Sequence, residues 1–216
     1  MTYDEDFTPG EEFANAAIHG GGALLAIAAL IVLIIHSSAH STQWYPVSFI
    51  VYGVTLVFLF TMSTLFHGIR MKPAKDVFEV LDHSGVYVLI AGTYMPFCFV
   101  VIGGTMGWVI FGIMWGMTAV GAVLKIFFAK RFILLSTTVY IMMGCTIFLA
   151  FGKVIATLPI AGLIWLLLGG AFYTSGTVFY IRRTFRYHHA VWHSFALAGS
   201  ICHFICIFFF VLPLMP

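Results

Sequence analysis

The sequence predicts an all-α integral membrane protein, a bundle of seven transmembrane helices. Three observations lead there. Of 216 residues, 62% are hydrophobic and only 8% are charged, whereas a soluble domain carries about a quarter of its residues as charges. Mean hydropathy is +1.05. The apolar residues fall into stretches at about 17–37, 46–67, 84–102, 107–127, 131–152, 159–180 and 189–213, each near the roughly 20 residues a helix needs to cross the hydrocarbon core. Runs such as GALLAIAALIVLII and LIWLLLGGAF are continuously apolar, which excludes the in-and-out alternation of a membrane β-barrel.

The chain opens with Asp4, Glu5, Asp6, Glu11 and Glu12 and no cation among its first twelve residues. That is the wrong chemistry for the positive start of a cleaved signal peptide, so the first apolar stretch stays as a span. Pro9-Gly10-Glu11-Glu12 reads as a helix start with negative charge at the positive end of the dipole. A short interfacial helix is expected ahead of span one. Gly20-Gly21-Gly22 permits close helix approach, and with no Lys-Ser/Thr following it is not a phosphate loop. In span three, Tyr94 and Pro96 are expected to kink the far end. Gly103-Gly104-Thr105 is a brief link to span four. Trp44, Trp108 and Trp165 read as interface or packing aromatics. The cysteines Cys98, Cys145, Cys202 and Cys206 lie in or at the edge of spans without a CxxC pair and read as small packing residues. Links this short leave room for a single domain over 1–216, with a short acidic segment at 1–14.

Loop cations set the orientation. Arg70, Lys72 and Lys75 follow span two, Lys125, Lys130 and Arg131 lie between spans four and five, and Arg182, Arg183 and Arg186 lie between spans six and seven. Only Lys153 falls on the opposite side. The rule therefore places the amino terminus in the cytoplasm and the carboxyl terminus outside. The basic loops suit topology and anionic lipids rather than nucleic acid.

In this orientation, polar residues from three spans share one cytoplasmic layer. Ser63 and His67 lie one turn apart at the end of span two, Asp82 opens span three, and His189 and His193 lie one turn apart at the start of span seven. Ionisable groups inside a membrane bundle are functional candidates. Three imidazoles with one open position suit a catalytic zinc ion, which lowers the pKa of a bound water from roughly 16 to about 7. Asp82 would hold or deprotonate that water, and Ser63 would hydrogen-bond the reacting group or a ligand. His189-x-x-x-His193 encloses Ala190, Val191 and Trp192, so unlike HExxH it supplies no local base. The competing reading is that span-end histidines snorkel or bond backbone carbonyls. His19 reads first as packing, with lining a pore or supporting a ligand histidine as the alternative; His36 and His40 face the outer interface, His188 points away from His189, and His203 lies off the face shared by Cys202 and Cys206.

At EEFANAAIHG, STLFHG, LDHSGVYVLIAGTYMPF and HHAVWHSFALAGSICHF the chain resembles the bacterial hemolysin III proteins, relatives of the adiponectin and membrane progestin receptors, over about residues 11–210. The resemblance implies that His67, His189 and His193 bind zinc, with Asp82 reaching it through water and Ser63 beside it. It also implies ceramidase-like amide hydrolysis as a possible activity. The expectation is a multi-pass plasma-membrane protein, in bacteria the cytoplasmic membrane, whose partners are membrane lipids and a lipid-like amide or ester substrate. The alternative is a non-enzymatic sensor, channel or membrane-perturbing protein with structural zinc.

Overall fold

A computed structural model describes residues 7–38, 44–128 and 131–215. Among these residues the chain is helical throughout, with no strand, and seven helices are long and apolar enough to cross a membrane. Asp4, Glu5, Asp6, His40 and Lys130 lie outside the described residues.

The first helix, α1 (Pro9–Ser37), starts well before the apolar stretch. Thr8 caps it: the Thr8 hydroxyl accepts from the Glu11 amide, and Glu11 Oε2 accepts from the Thr8 amide at 3.0 Å. This capping box satisfies two helix-end donors at once. The helix starts at the Pro-Gly-Glu-Glu run as expected, and among the described residues no separate interfacial helix precedes the span, because the capped turn runs straight into it. Next come α2 (Trp44–Gly68) and α3 (Lys72–Pro96). The third helix also begins earlier than its hydropathy suggests. Its first turns carry Lys72, Lys75, Asp76 and Glu79, which end an apolar window without ending a helix.

Pro96 lacks an amide hydrogen, so the ordinary ladder cannot pass through it. The chain continues as a π-helical segment, Phe97–Ile102, and the Gly103 amide closes it by donating to the Cys98 carbonyl at 3.0 Å. Gly103 and Gly104 take φ of 60° and 58°, the left-handed region open to glycine, and reverse the chain into α4 (Gly104–Phe128). Lys125 is not a loop cation as its place in the sequence suggested; it is buried on the last turn of α4.

The fifth span is built in pieces: α5 (Ile133–Cys145), a 3-10 segment (Thr146–Ala150) and α6 (Phe151–Thr157). Tyr94 clamps this break. Its hydroxyl donates toward the Met143 and Gly144 carbonyls at 2.9 and 2.8 Å and accepts from the Ile147 amide at 2.7 Å. Lys153, the cation on the unexpected side, donates to the Ile102 carbonyl at 2.8 Å, at the end of the π segment. The remaining helices are α7 (Ile160–Ile181) and α8 (His188–Cys206), the latter extended by a π segment, Ile207–Val211.

Packing follows burial. In α3 and its extension, 67% of the apolar window is buried, against 22–44% in the other spans, so this element occupies the centre. Around it, α1 packs on α2 and on α8, α2 on α3, and α7 on α8. That order sets α1 beside both histidine-bearing helices, α2 and α8. Cys98, Cys202 and Cys206 are buried; Cys145 is exposed and does not pack as expected.

Candidate metal centre

The centre forms where the end of α2 meets the start of α8. On α2, Ser63 and His67 are one turn apart, so both side chains face inward and are buried. On α8, Tyr187 precedes the helix at φ 64°, an uncommon conformation for a bulky residue. His188, His189 and His193 follow, all buried.

Each of His67, His189 and His193 offers a ring nitrogen, and these three nitrogens lie within 4.8 Å of one another. Ring centroids are 5.2 Å apart for His67 and His189, 5.0 Å for His67 and His193, and 4.4 Å for His189 and His193. His67 Nε2 and His193 Nε2 are 3.1 Å apart. Two nitrogens held tetrahedrally at about 2.0–2.1 Å from a zinc ion would be separated by about 3.3 Å. This triad could hold a metal ion.

The unpaired atoms nearby fit that chemistry. Both nitrogens of His189, Nδ1 of His193 and the Ser63 hydroxyl are buried without a hydrogen-bond partner. A buried polar group left unpaired costs about 1–3 kcal/mol. An ion takes one nitrogen of each imidazole and would satisfy one of the two at His189, whereas a snorkelling or carbonyl-bonded histidine would already have a partner. Two other histidines do have one. His188 Nδ1 donates to the Phe179 carbonyl at 3.2 Å, turned away from His189, and His203 Nε2 donates to the Leu166 carbonyl at 3.2 Å, off the cysteine face.

Asp82 is buried on α3, with Oδ2 3.7 Å from His83 Nδ1. It also lies within electrostatic reach of buried Lys125. Its carboxylate is not among the atoms grouped with the three histidines. His19 is closer than a packing role requires. Its ring centroid is 3.8 Å from that of His193, and both its nitrogens are buried and unpaired.

Glu12 is the residue sequence reasoning missed. Its Oε2 lies 2.5 Å from His67 Nδ1, and its Oε1 pairs with Lys75. Asn15 Nδ2 approaches the same His67 nitrogen at 3.4 Å. The signal was present in the sequence: Glu12, Asn15 and His19 are spaced i, i+3, i+7, which puts them on one helix face. Reading Glu12 only as a dipole charge concealed it.

The sequence model described as "Haemolysin-III related" matches residues 7–204. This chain belongs to the haemolysin III family. It is similar to "Hemolysin-3 homolog" of Bacillus subtilis (strain 168), 48% identical over 204 residues that cover 94% of this chain and 96% of that protein. It is similar to "Hemolysin-3" of Bacillus cereus, 45% identical over 203 residues that cover 94% and 93%. A more distant likeness is to human "Monocyte to macrophage differentiation factor", 26% identical over 207 residues that cover 91% and 83%. The haemolysin III chain is therefore a multi-pass membrane protein, and its Bacillus relatives imply the bacterial cytoplasmic membrane. Its histidine triad comes from two of the four segments that carried the resemblance, those holding His67 and His189, and Glu12 comes from a third.

Proposed function

We propose that this haemolysin III protein is a zinc-dependent hydrolase of lipid amides or esters, with His67, His189 and His193 as the zinc ligands and the centre on the cytoplasmic side. The observation that carries the reading is the buried triad with its unpaired ring nitrogens. Three histidines with an open fourth position are the donor set of catalytic rather than structural zinc. When bound, the ion supplies Lewis acidity and lowers the pKa of water at its open position toward about 7.

The chain's own residues do the rest. Asp82 accepts the proton of the attacking water and returns it to the leaving nitrogen or oxygen, as a general base and then acid. The unpaired Ser63 hydroxyl donates a hydrogen bond to the carbonyl under attack. A lipid substrate reaches the centre laterally from the bilayer, and the apolar bundle keeps bulk water away.

A second reading, a sensor, channel or membrane-perturbing protein with structural zinc, draws on two observations. The Phe7 ring lies 4.9 Å from that of His189, which closes the site, and Asp82 already has His83 as a neighbour. Two relatives also carry the name hemolysin.

The experiment measures zinc per chain, thermal stability and turnover of ceramides and other lipid amides and esters by purified wild type, His67→Ala, His193→Ala and Asp82→Asn. The hydrolase reading expects about one zinc in wild type, zinc lost with either histidine, and Asp82→Asn folded and loaded but slowed about 100-fold or more. Equal zinc in every sample overturns the metal assignment. Zinc without hydrolysis of any lipid, and normal cellular behaviour of Asp82→Asn, overturns the hydrolase in favour of the second reading.

A further inference from the structure

A metal-bound imidazole is set in place by what its other nitrogen does. At His67 that second nitrogen has two neighbours, Glu12 Oε2 at 2.5 Å and Asn15 Nδ2 at 3.4 Å. The shorter contact decides. An ionised carboxylate only accepts hydrogen bonds, so the proton sits on His67 Nδ1, and the lone pair is left on Nε2. Nε2 is the atom that faces His193 Nε2 at 3.1 Å.

We propose that Glu12 is a positioning residue of the metal centre, holding His67 through Nδ1 in the tautomer and orientation that present Nε2 to the ion. The proposal rests on the metal-centre reading above and adds a residue to it from a third helix. The carboxylate is itself held from both ends. Lys75 at the start of α3 pairs with its other oxygen, and the Lys75 ammonium sits 5.1 Å from the Phe66 ring centroid, next to His67 in the chain. The backbone that carries Glu12 is fixed too. Neighbouring Glu11 closes the Thr8 capping box, and its Oε1 accepts from the Tyr187 amide at 3.0 Å, where α8 begins. Phe7 then lies across His189 at 4.9 Å and His67 at 6.0 Å. The short stretch 7–12, where α1 begins, thus orients a ligand and covers the site.

The test compares zinc affinity by chelator competition, and the absorption spectrum of the cobalt-substituted protein, for wild type, Glu12→Ala, near-isosteric Glu12→Gln, Glu12→Asp, His67→Ala and Thr8→Ala. Wild type binds, His67→Ala loses the metal, and Glu12→Ala weakens zinc by about 10–100-fold, the usual effect of losing such a partner, with an altered cobalt spectrum. Glu12→Gln falls between Glu12→Ala and wild type, and Glu12→Asp recovers part of the loss. Thr8→Ala, which loosens the same helix start but leaves the Glu12 carboxylate in the chain, loses less affinity than Glu12→Ala. Wild-type affinity and spectrum in both Glu12→Ala and Glu12→Gln overturn this proposal alone, as does a loss in Thr8→Ala equal to that in Glu12→Ala. Identical zinc in wild type and His67→Ala overturns the metal centre as well.

Discussion

Removing one oxygen atom, in Tyr94→Phe, is expected to weaken the fold by about 2–4 kcal/mol. The Tyr94 hydroxyl accepts from the Ile147 amide and donates toward two carbonyls of α5, where the fifth span changes from α to 3-10. One proton shared between two acceptors counts as about one bond. Side-chain hydrogen bonds between membrane helices average about 0.6 kcal/mol and reach about 1.7, so loss of the donated and accepted bonds accounts for roughly 1–2. The phenylalanine also leaves the Ile147 amide facing an aromatic edge. At 6% exposure for Tyr94, water cannot reach in to replace the oxygen, which adds about 1–3 kcal/mol for the unpaired donor. The two contributions sum to about 2–5 kcal/mol, and partial relaxation of the break in the membrane setting keeps the upper end near about 4. Reversible unfolding in mixed micelles measures the energy, and hydrogen exchange at Ile147 reports the site. A change below about 0.5 kcal/mol with unaltered exchange at Ile147 would refute the clamp.

Two other substitutions probe the packing and the topology. In Gly22→Ala the new methyl would lie 2.6 Å from Phe60 Cδ1, and Phe60 packs edge-on against His19 at 5.0 Å; overpacking is expected to cost about 1–3 kcal/mol, and an unchanged melting temperature in detergent would contradict it. Lys153→Gln removes an exposed lysine's bond to the Ile102 carbonyl; it should cost under about 1.5 kcal/mol and leave the termini unmoved, which the remaining loop cations predict to be inside and outside respectively. Reporter fusions read both ends, and a cytoplasmic carboxyl terminus would refute the assignment.

The parts of the site readable from sequence are those written in a single helix. Ser63 with His67, and His189 with His193, follow from one-turn spacing, and hydropathy brings their helices to a common depth. What the spacing could not give is which neighbour lies between them. That depends on α1 packing against both α2 and α8, a ring closure invisible in any local window, and it is why Glu12 was read only as a dipole charge and His19 first as packing. Hydropathy also misplaced the starts of α1 and α3, because it stops at charged residues whereas a helix stops only when its ladder does. Pro96 was readable as a disturbance. The π segment that absorbs it was not, since it depends on the Gly103 amide finding the Cys98 carbonyl.

The placement of the cluster also has a consequence for biosynthesis. His67 is made 126 residues ahead of His193, so at ~5–20 residues per second it waits roughly 6–25 s on the ribosome's timetable for its partners. Glu12, by contrast, is already there. The α1–α2 hairpin can therefore hold the His67 imidazole while the rest of the chain is still being inserted, and the last helix arrives at a half-built cluster whose first histidine is already held. A chain that stalls before α8 would carry that prepared half and never complete it, so possession of the full cluster marks a molecule whose insertion has run to its final span.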